Sequence, residues 1–418
     1  MNRTRIITAT ALTLIAAGLL FAGPLNPPAG PITSTNKTLT EVEPRIAINL
    51  TNTPGDADSL FKITQRGSYY LSGNISGVAG KHGIEIAASG VTIDLMGFDL
   101  SGVPAMGAFD GVSATVNVLT NITIRNGSVR GWGGDGVDLG NNVAINSAVI
   151  DVRASNNTGN GILTGSFSTI TGCTASVNTV NGISTSFGCT ISNCTASQNT
   201  GNGILTGSGC TITGCSAYNN TFNGIVTSTG CVISNCTAVD NIGSGILTGI
   251  GCTITGCTAN NNTGNGISTG IACTITGCSA YFNIGNGIFS SSGCTISNNT
   301  ASSNRLNGIR VSIQCVVLAN ACSFNGNGGD GAGIHAIGSD NRIEGNNCVN
   351  ADRGIDVDVA GNIIIKNTCA SNTIDWTIVA NNVVGPILDR RAPASAAING
   401  FSAPSSLGST DPNANFSY

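Results

Sequence analysis

Residues 189–209 read CTISNCTASQNTGNGILTGSG, and residues 210–230 read CTITGCSAYNNTFNGIVTSTG. The second stretch repeats the first position by position. Cys189 and Cys210, Ile191 and Ile212, Cys194 and Cys215, Asn199 and Asn220, and Gly203 and Gly224 each stand 21 residues apart. Working outward, Gly-Ile recurs at Gly161, Gly182, Gly203, Gly224, Gly245, Gly266, Gly287 and Gly308 without a change of step. Gly-Ile or Gly-Val continues at Gly136, Gly111 and Gly83, and at Gly333 and Gly354, with spacings of 21 to 28. A fixed period of this length is the mark of a solenoid, whose coils each bury their apolar face only against neighbouring coils. Runs such as Cys189–Cys194 are short, alternating and β-branched, so each coil is strands and turns. The expected fold is all-β, a single solenoid of about thirteen coils over residues 81–380. Residues 46–80 are expected to cap one end, and 381–418 to cap the other or cover a side.

Asparagine keeps the same period. Asn157, Asn178, Asn199, Asn220, Asn241, Asn262, Asn283 and Asn304 form one column, and Asn160, Asn181, Asn202, Asn223, Asn265, Asn286 and Asn307 a second, broken by Ser244. Asn tolerates left-handed backbone at turns, and stacked amides bond from rung to rung, so these residues read as structural. Cysteine also falls into two columns, Cys189 to Cys315 and Cys173 to Cys278. Equivalent Cα atoms on adjacent rungs lie about 4.8 Å apart with parallel Cβ vectors, a poor geometry for a bridge. A dry ladder of small free thiols is favoured over disulfides across the two columns, and both over a metal site.

Composition narrows the function. Charged residues are 9% of the 418, against roughly 25% in a typical globular protein, while 40% are hydrophobic and the mean hydropathy is +0.21. The 17 Lys+Arg are scattered among 21 Asp+Glu, so no basic stripe exists for nucleic acid. Arg3 and Arg5 precede an apolar run from Ile6 to Ala22, which reads as a secretory signal over 1–23, or an uncleaved anchor, followed by a Pro-rich linker over 24–45. The expected location is secreted or cell-surface, with the periplasm as a further compartment. No other membrane span is expected.

The periodic coils resemble the right-handed parallel β-helix repeat of pectate lyases, polygalacturonases, epimerases and phage tailspikes. The stretches Glu43–Ala47, Gly67–Leu71, Lys81–Glu85, Val91–Leu95 and Leu407–Phe416 resemble a narrower group of exported β-helix proteins of environmental bacteria. The resemblance implies the fold and no activity, because fold does not carry function. The acidic signature of polygalacturonases and the calcium-and-arginine pattern of pectate lyases are absent.

Between Ala154 and Asn304 the only charged side chain is Asp240. Acid–base catalysis needs a proton donor or acceptor, and glycoside hydrolysis normally a carboxyl pair, so the central coils cannot carry either. Towards the C-terminal end, Arg310, His335 and Asp356 follow successive Gly-Ile dipeptides, and equal register would stack them as cation, base and orienting carboxylate. A solvated ladder of alternating charge is the plainer reading. Towards the N-terminal end, aligning Ile93 with Ile124 sets Asp99 beside Arg130 as an ion pair. Asp110, Asp135 and Asp138 offer a weak calcium site, and otherwise no cofactor is expected.

Two outward stripes suit binding. Leu163, Leu205, Val226, Leu247 and Phe289 form an apolar column, read as covered by the C-terminal tail or by a partner. Thr169 and Thr171, Thr190, Thr211 and Thr213, Thr253 and Thr255, and Thr274 and Thr276 form a hydroxyl face, interrupted at Val232. Such Thr-x-Thr arrays also resemble those of ice-binding proteins, but Thr is a routine outward strand residue. The favoured function is a non-catalytic exported protein that binds a polysaccharide, a cell-surface component or a protein partner through a flat, charge-poor face. The alternative is a polysaccharide lyase, hydrolase or epimerase using the polar C-terminal coils. A self-associating structural surface protein is third.

Overall fold

The computed structural model describes residues 43–115, 118–140, 144–326, 329–389 and 411–418. The chain divides into residues 1–44 and 45–418; the expected signal and most of the expected linker lie outside the described residues. The described residues of 45–418 form a parallel β-helix. Each central coil carries three strands of three residues, as in Ile204–Thr206, Thr211–Thr213 and Ser216–Tyr218. Every strand pairs in parallel with its equivalent one coil away. No described helix is long and apolar enough to cross a membrane.

The interior follows from the alternation. Ile204 of the first strand, Ile212 of the second and Ala217 of the third are fully buried, with Cys210 and Cys215 at the corners between them. The two-residue corner between second and third strands begins with a left-handed residue at Asn193, Gly214, Asn235, Gly256, Gly277 and Asn298, with φ between 52° and 62°. That conformation explains why the position alternates between Gly and Asn. The glycine of each Gly-Ile has a different cause. A Cβ on Gly203 would stand 2.6 Å from the Gly224 carbonyl oxygen and 2.8 Å from Asn220 Nδ2. Column glycine and column asparagine are therefore one device.

The asparagine column is a continuous buried ladder. Asn199 Nδ2 donates to Asn220 Oδ1 at 3.0 Å and to the Ala175 carbonyl at 3.1 Å, and the Asn199 N–H reaches the same Oδ1 at 3.1 Å. The pattern runs from Asn157 to Asn325. The thiols copy it in weaker form. The Cys189 N–H points at Cys210 Sγ at 3.3 Å, and Cys189 Sγ reaches the Gly165 carbonyl at 3.3 Å. All sixteen cysteines are free and buried. Three stand outside the two expected columns: Cys322, Cys348 and Cys369 continue the alanine position of the third strand after Ala301. Where the thiol columns stop, asparagine takes over, at Asn299 after Cys278 and at Asn341 after Cys315.

The coils are more numerous than expected. Among the described residues the first-strand sheet has fifteen strands, from Ser59–Ile63 to Ile374–Ile378. The outermost two lack the Gly-Ile signal, because Phe61 pairs with Ile84 and Trp376 with Ile355 as substitutes. The segment 46–80 thus contributes rungs of its own. In the expected tail, Val383–Val384, Ile387–Asp389 and Asn415–Ser417 add to the second- and third-strand ladders. Those residues do not run along the apolar column; residues 390–410 lie outside the described residues.

Candidate functional site

The outward position of the first strands is one unbroken column. It reads Lys62, Glu85, Ser113 and Asp138, then Leu163 to Phe289 through the middle, then Arg310, His335, Asp356 and Thr377. Leu163, Leu205, Val226, Leu247 and Phe289 do face away from the core, but they are half-buried and not the exposed strip expected. One cause is visible at each end. Leu163 packs over Gly140 of the preceding coil, and the Arg310 guanidinium lies over the Phe289 ring at 5.5 Å.

That contact corrects the expected triad. Register stacks Arg310, His335 and Asp356, yet Arg310 turns to Phe289. The cation beside Asp356 is Arg353, whose Nη1 lies 2.7 Å from Asp356 Oδ2 and whose Nη2 lies 2.5 Å from Asp330 Oδ1. His335 Nε2 stands 2.9 Å from Asp358 Oδ2 and 3.7 Å from Asp356 Oδ2. Asp356 is only 2% exposed, while Asp358 is exposed and His335 half-buried. Asp356 raises the Arg353 pKa above its ordinary value through their hydrogen bond. Chemically this is an imidazole held by two carboxylates, one of them neutralised from behind, which can take up or release a proton.

The N-terminal coils hold a second group. Asp110, Asp135 and Asp138 bring carboxylate oxygens within 4.8 Å of one another, as the sequence suggested. Asp110 Oδ1 accepts the Asp135 N–H at 2.7 Å, and Asp110 Oδ2 accepts from Ser113 Oγ at 3.1 Å. Asp135 Oδ1 accepts from the Asn160 backbone at 2.5 Å and from Asn160 Nδ2 at 3.1 Å. Asp110 and Asp135 occupy the column that reads Asn160, Asn181 and Asn202 further on, each bonding the next by the same pattern. An Asn at 135 would donate Nδ2–H back to Asp110 at any pH; Asp135 has a hydrogen to give only when its carboxyl is protonated. Burial, with Asp138 and Asp110 adding to it against the Asn160 bonds, raises the Asp135 carboxyl to about 7. Burial likewise raises Asp138. Three hard oxygen donors are the chemistry of a calcium site, so these residues suit that ion in kind.

His82 went unnoticed in the sequence, and the structure brings it to this group. Its Nδ1 lies 3.3 Å from Asp110 Oδ2 and accepts the Asp110 N–H at 3.0 Å. Beside it Lys62 joins Asp56 at 2.7 Å to the buried Glu85 at 2.8 Å, and Thr115 donates to Glu85. The missed signal was positional. His82, Asp110, Asp135 and Arg353 all immediately precede the Gly of a coil, where the middle coils carry Asn. The expected Asp99–Arg130 pair forms at 2.6 Å, but diagonally: Asp99 pairs in register with Ser128, because the turn Leu95–Phe98 is two residues longer than Asn126–Gly127 opposite it. Asp94 and Arg125 pair directly at 3.0 Å.

The hydroxyl face is flat and regular. Thr169, Thr190, Thr211, Thr253 and Thr274 are exposed and in register, with Val232 among them. The second column beside them is tied rung to rung, as in Thr171 with Ser192 at 2.9 Å and Ser234 to Thr213 at 3.0 Å. Thr255 and Thr276 continue that column.

A family model described as a right handed beta helix region matches residues 268–384, and the architecture is that of a right-handed parallel β-helix. No curated protein matches the sequence. Among solved structures the chain is similar to the A-module of the Azotobacter vinelandii mannuronan C-5 epimerase AlgE6, at 15% identity over 77% of this chain and 90% of that one, with a TM-score of 0.47. It is also similar to the Dettilon tailspike protein, at 17% identity over 73% and 62% with a TM-score of 0.45. A third is pectate lyase Pel9A, at 18% identity over 69% and 72% with a TM-score of 0.30. None of these likenesses assigns an activity to this chain.

Proposed function

We propose that this protein is exported and binds a polysaccharide, without cleaving it, along the flat face of its second strands. The observation that carries the reading is the array of outward hydroxyls, in register over successive coils and free of charge. A neutral glycan presents hydroxyls at intervals along an extended chain, and a rigid lattice of donors and acceptors meets it without ordering entropy. The N-terminal Arg3, Arg5 and the apolar run to Ala22 support export. The test is product size together with retention: the purified protein is incubated with neutral and acidic polysaccharides, with calcium and with chelator. Retention with an unchanged size distribution supports the reading. Chain shortening overturns it.

A second reading rests on the imidazole between Asp356 and Asp358 with Arg353 behind it. It makes the C-terminal coils a lyase, hydrolase or epimerase site. His335→Ala then removes activity by about a hundredfold or more while circular dichroism and melting stay unchanged; an unchanged rate takes His335 out of any mechanism.

A further inference from the structure

The corner that leads from the third strand back to the first carries one left-handed residue per coil. Over six successive coils these are Asn261, Phe282, Ser303, Phe324, Asn350 and Ser371, with φ between 53° and 56°. Asn suits that backbone; a bulky side chain such as Phe does not, because its Cβ crowds the following carbonyl. Phe282 and Phe324 are nonetheless there, and they are 59% and 60% exposed. They contribute nothing to the core and stand on backbone that disfavours them. Two exposed aromatic rings on such backbone, lining one groove, point to use by a ligand.

Their surroundings say which ligand. Phe282 and Phe324 sit two rungs apart, about 10 Å, with the small Ser303 between them. They floor a groove of about 630 Å³, which also meets Asn350, Asp352 and Thr373. A second hollow of about 470 Å³ shares Phe282 and Ser303 and reaches Asn261 and Arg305, so the groove follows the coil axis. Its lining is hydroxyls and amides with one cation and one anion, Arg305 and Asp352, and so presents no net charge. Main-chain groups at this corner are paired from coil to coil, as in Phe282 N–H to the Ser302 carbonyl and Phe324 N–H to the Val349 carbonyl. A peptide strand has no open edge to join.

We propose that this corner groove is a binding site for a single extended strand of neutral glycan, with Phe282 and Phe324 as stacking platforms. The C–H faces of pyranose rings carry partial positive charge and pack on the negative faces of the two phenyl rings. Arg305, Asp352 and the corner Ser and Asn residues take the hydroxyls. The site is separate from the hydroxyl face, and the inference rests on the polysaccharide-binding reading while naming a different surface for it.

Affinity electrophoresis of the purified protein through gels holding a soluble β-glucan, a galactomannan or polygalacturonate tests it. A neutral glycan retards the wild type, and Phe282→Asn with Phe324→Asn weakens that retardation about tenfold or more. The melting temperature of this double variant stays level or rises, since Asn accepts the left-handed backbone. Phe282→Tyr with Phe324→Tyr keeps binding, and Thr211→Glu with Thr253→Glu on the hydroxyl face leaves the groove's share intact. Undiminished retardation of the Asn double variant, with loss in the Thr variants, overturns the groove and leaves polysaccharide binding standing. Failure of the wild type to be retarded by either neutral glycan overturns both.

Discussion

The middle coils and the end coils occupy the same lattice and fill it differently. From Ile162 to Ser297 the position before each Gly is Asn or Ser, the outward first-strand position is Leu, Val, Phe or Ser, and the corners are thiols apart from Ser168. At the ends the same positions become His82, Asp110, Asp135 and Arg353, then Lys62, Glu85, Asp138, His335 and Asp356, and the corners become Asn299, Asn320, Asn341 and Asn346. Identical side chains stacked on adjacent rungs suit amides, which donate and accept in turn, but not charges, which repel when alike. Charge therefore enters where neighbouring coils differ in sequence and opposites can alternate. Arg342 and Lys366 flank Glu344 at 2.7 Å each, and Lys62 bridges Asp56 and Glu85. Repetition stabilises the middle; departure from repetition makes room for chemistry.

The sharpest way to break this contrast is to remove one amide from the middle ladder. Asn220→Ala takes the acceptor from the buried Asn199 N–H, one of two acceptors from Asn199 Nδ2 and a donor from the Ala196 carbonyl, and is expected to cost about 3–5 kcal/mol in urea unfolding. A loss under about 1 kcal/mol would mean that the ladder is ornament on a fold held by its isoleucines.

Asp135→Asn runs the other way, turning an end position into a middle one. The Asp135 carboxyl is raised to about 7 in the folded chain from an ordinary 3.8. The folded state therefore holds a proton that the unfolded state has released. Stability from this group is present at low pH and is lost as pH climbs from about 4 through 7. The Asn variant restores a donor towards Asp110 and is expected to gain on the order of 2–4 kcal/mol at pH 8 and almost nothing at pH 4. Urea midpoints at the two pH values check it; an equal gain at both would remove the carboxyl proton from the account.

The smallest effect belongs to the exposed pair. Arg130→Ala breaks a half-exposed bridge to Asp99 and should cost less than about 1 kcal/mol, shrinking further in molar salt. A larger, salt-insensitive loss would show that the stem of Arg130 packs on its neighbours.

What could be read from the sequence follows the same division. The columns of Gly203, Asn199 and Cys189 are visible because 21 residues separate each member from the next, and register is then a matter of counting. The first and last coils escape that count, since Phe61 and Trp376 fill the inward isoleucine position by size and apolarity alone. The ionic groups escape it because His82 and Asp110 stand 28 residues apart, Asp110 and Asp135 25 apart, across turns of unequal length. Arg353 reads from the sequence only as a neighbour of the Arg310, His335 and Asp356 column, because register fixes which residues share a column, whereas side-chain reach decides which of them touch. The left-handed corner of Phe282 and Phe324 left no mark, because Gln198, Asp240, Phe282 and Ser303 follow no common chemistry.

The interlocking of Gly203 with Asn220 of the next coil has a consequence for how such a chain changes over time. Each coil supplies the glycine that its successor's amide needs, so the middle coils are interchangeable parts. Loss or duplication of residues 210–230 rejoins Gly209 to a cysteine in the same phase, and both ends are untouched. Removal of one residue fewer reverses inside and outside in the strand where it falls, unless a turn absorbs the difference. The length of the rod is thus free to drift in whole modules and its turns in single residues, while the spacing within a strand is not free.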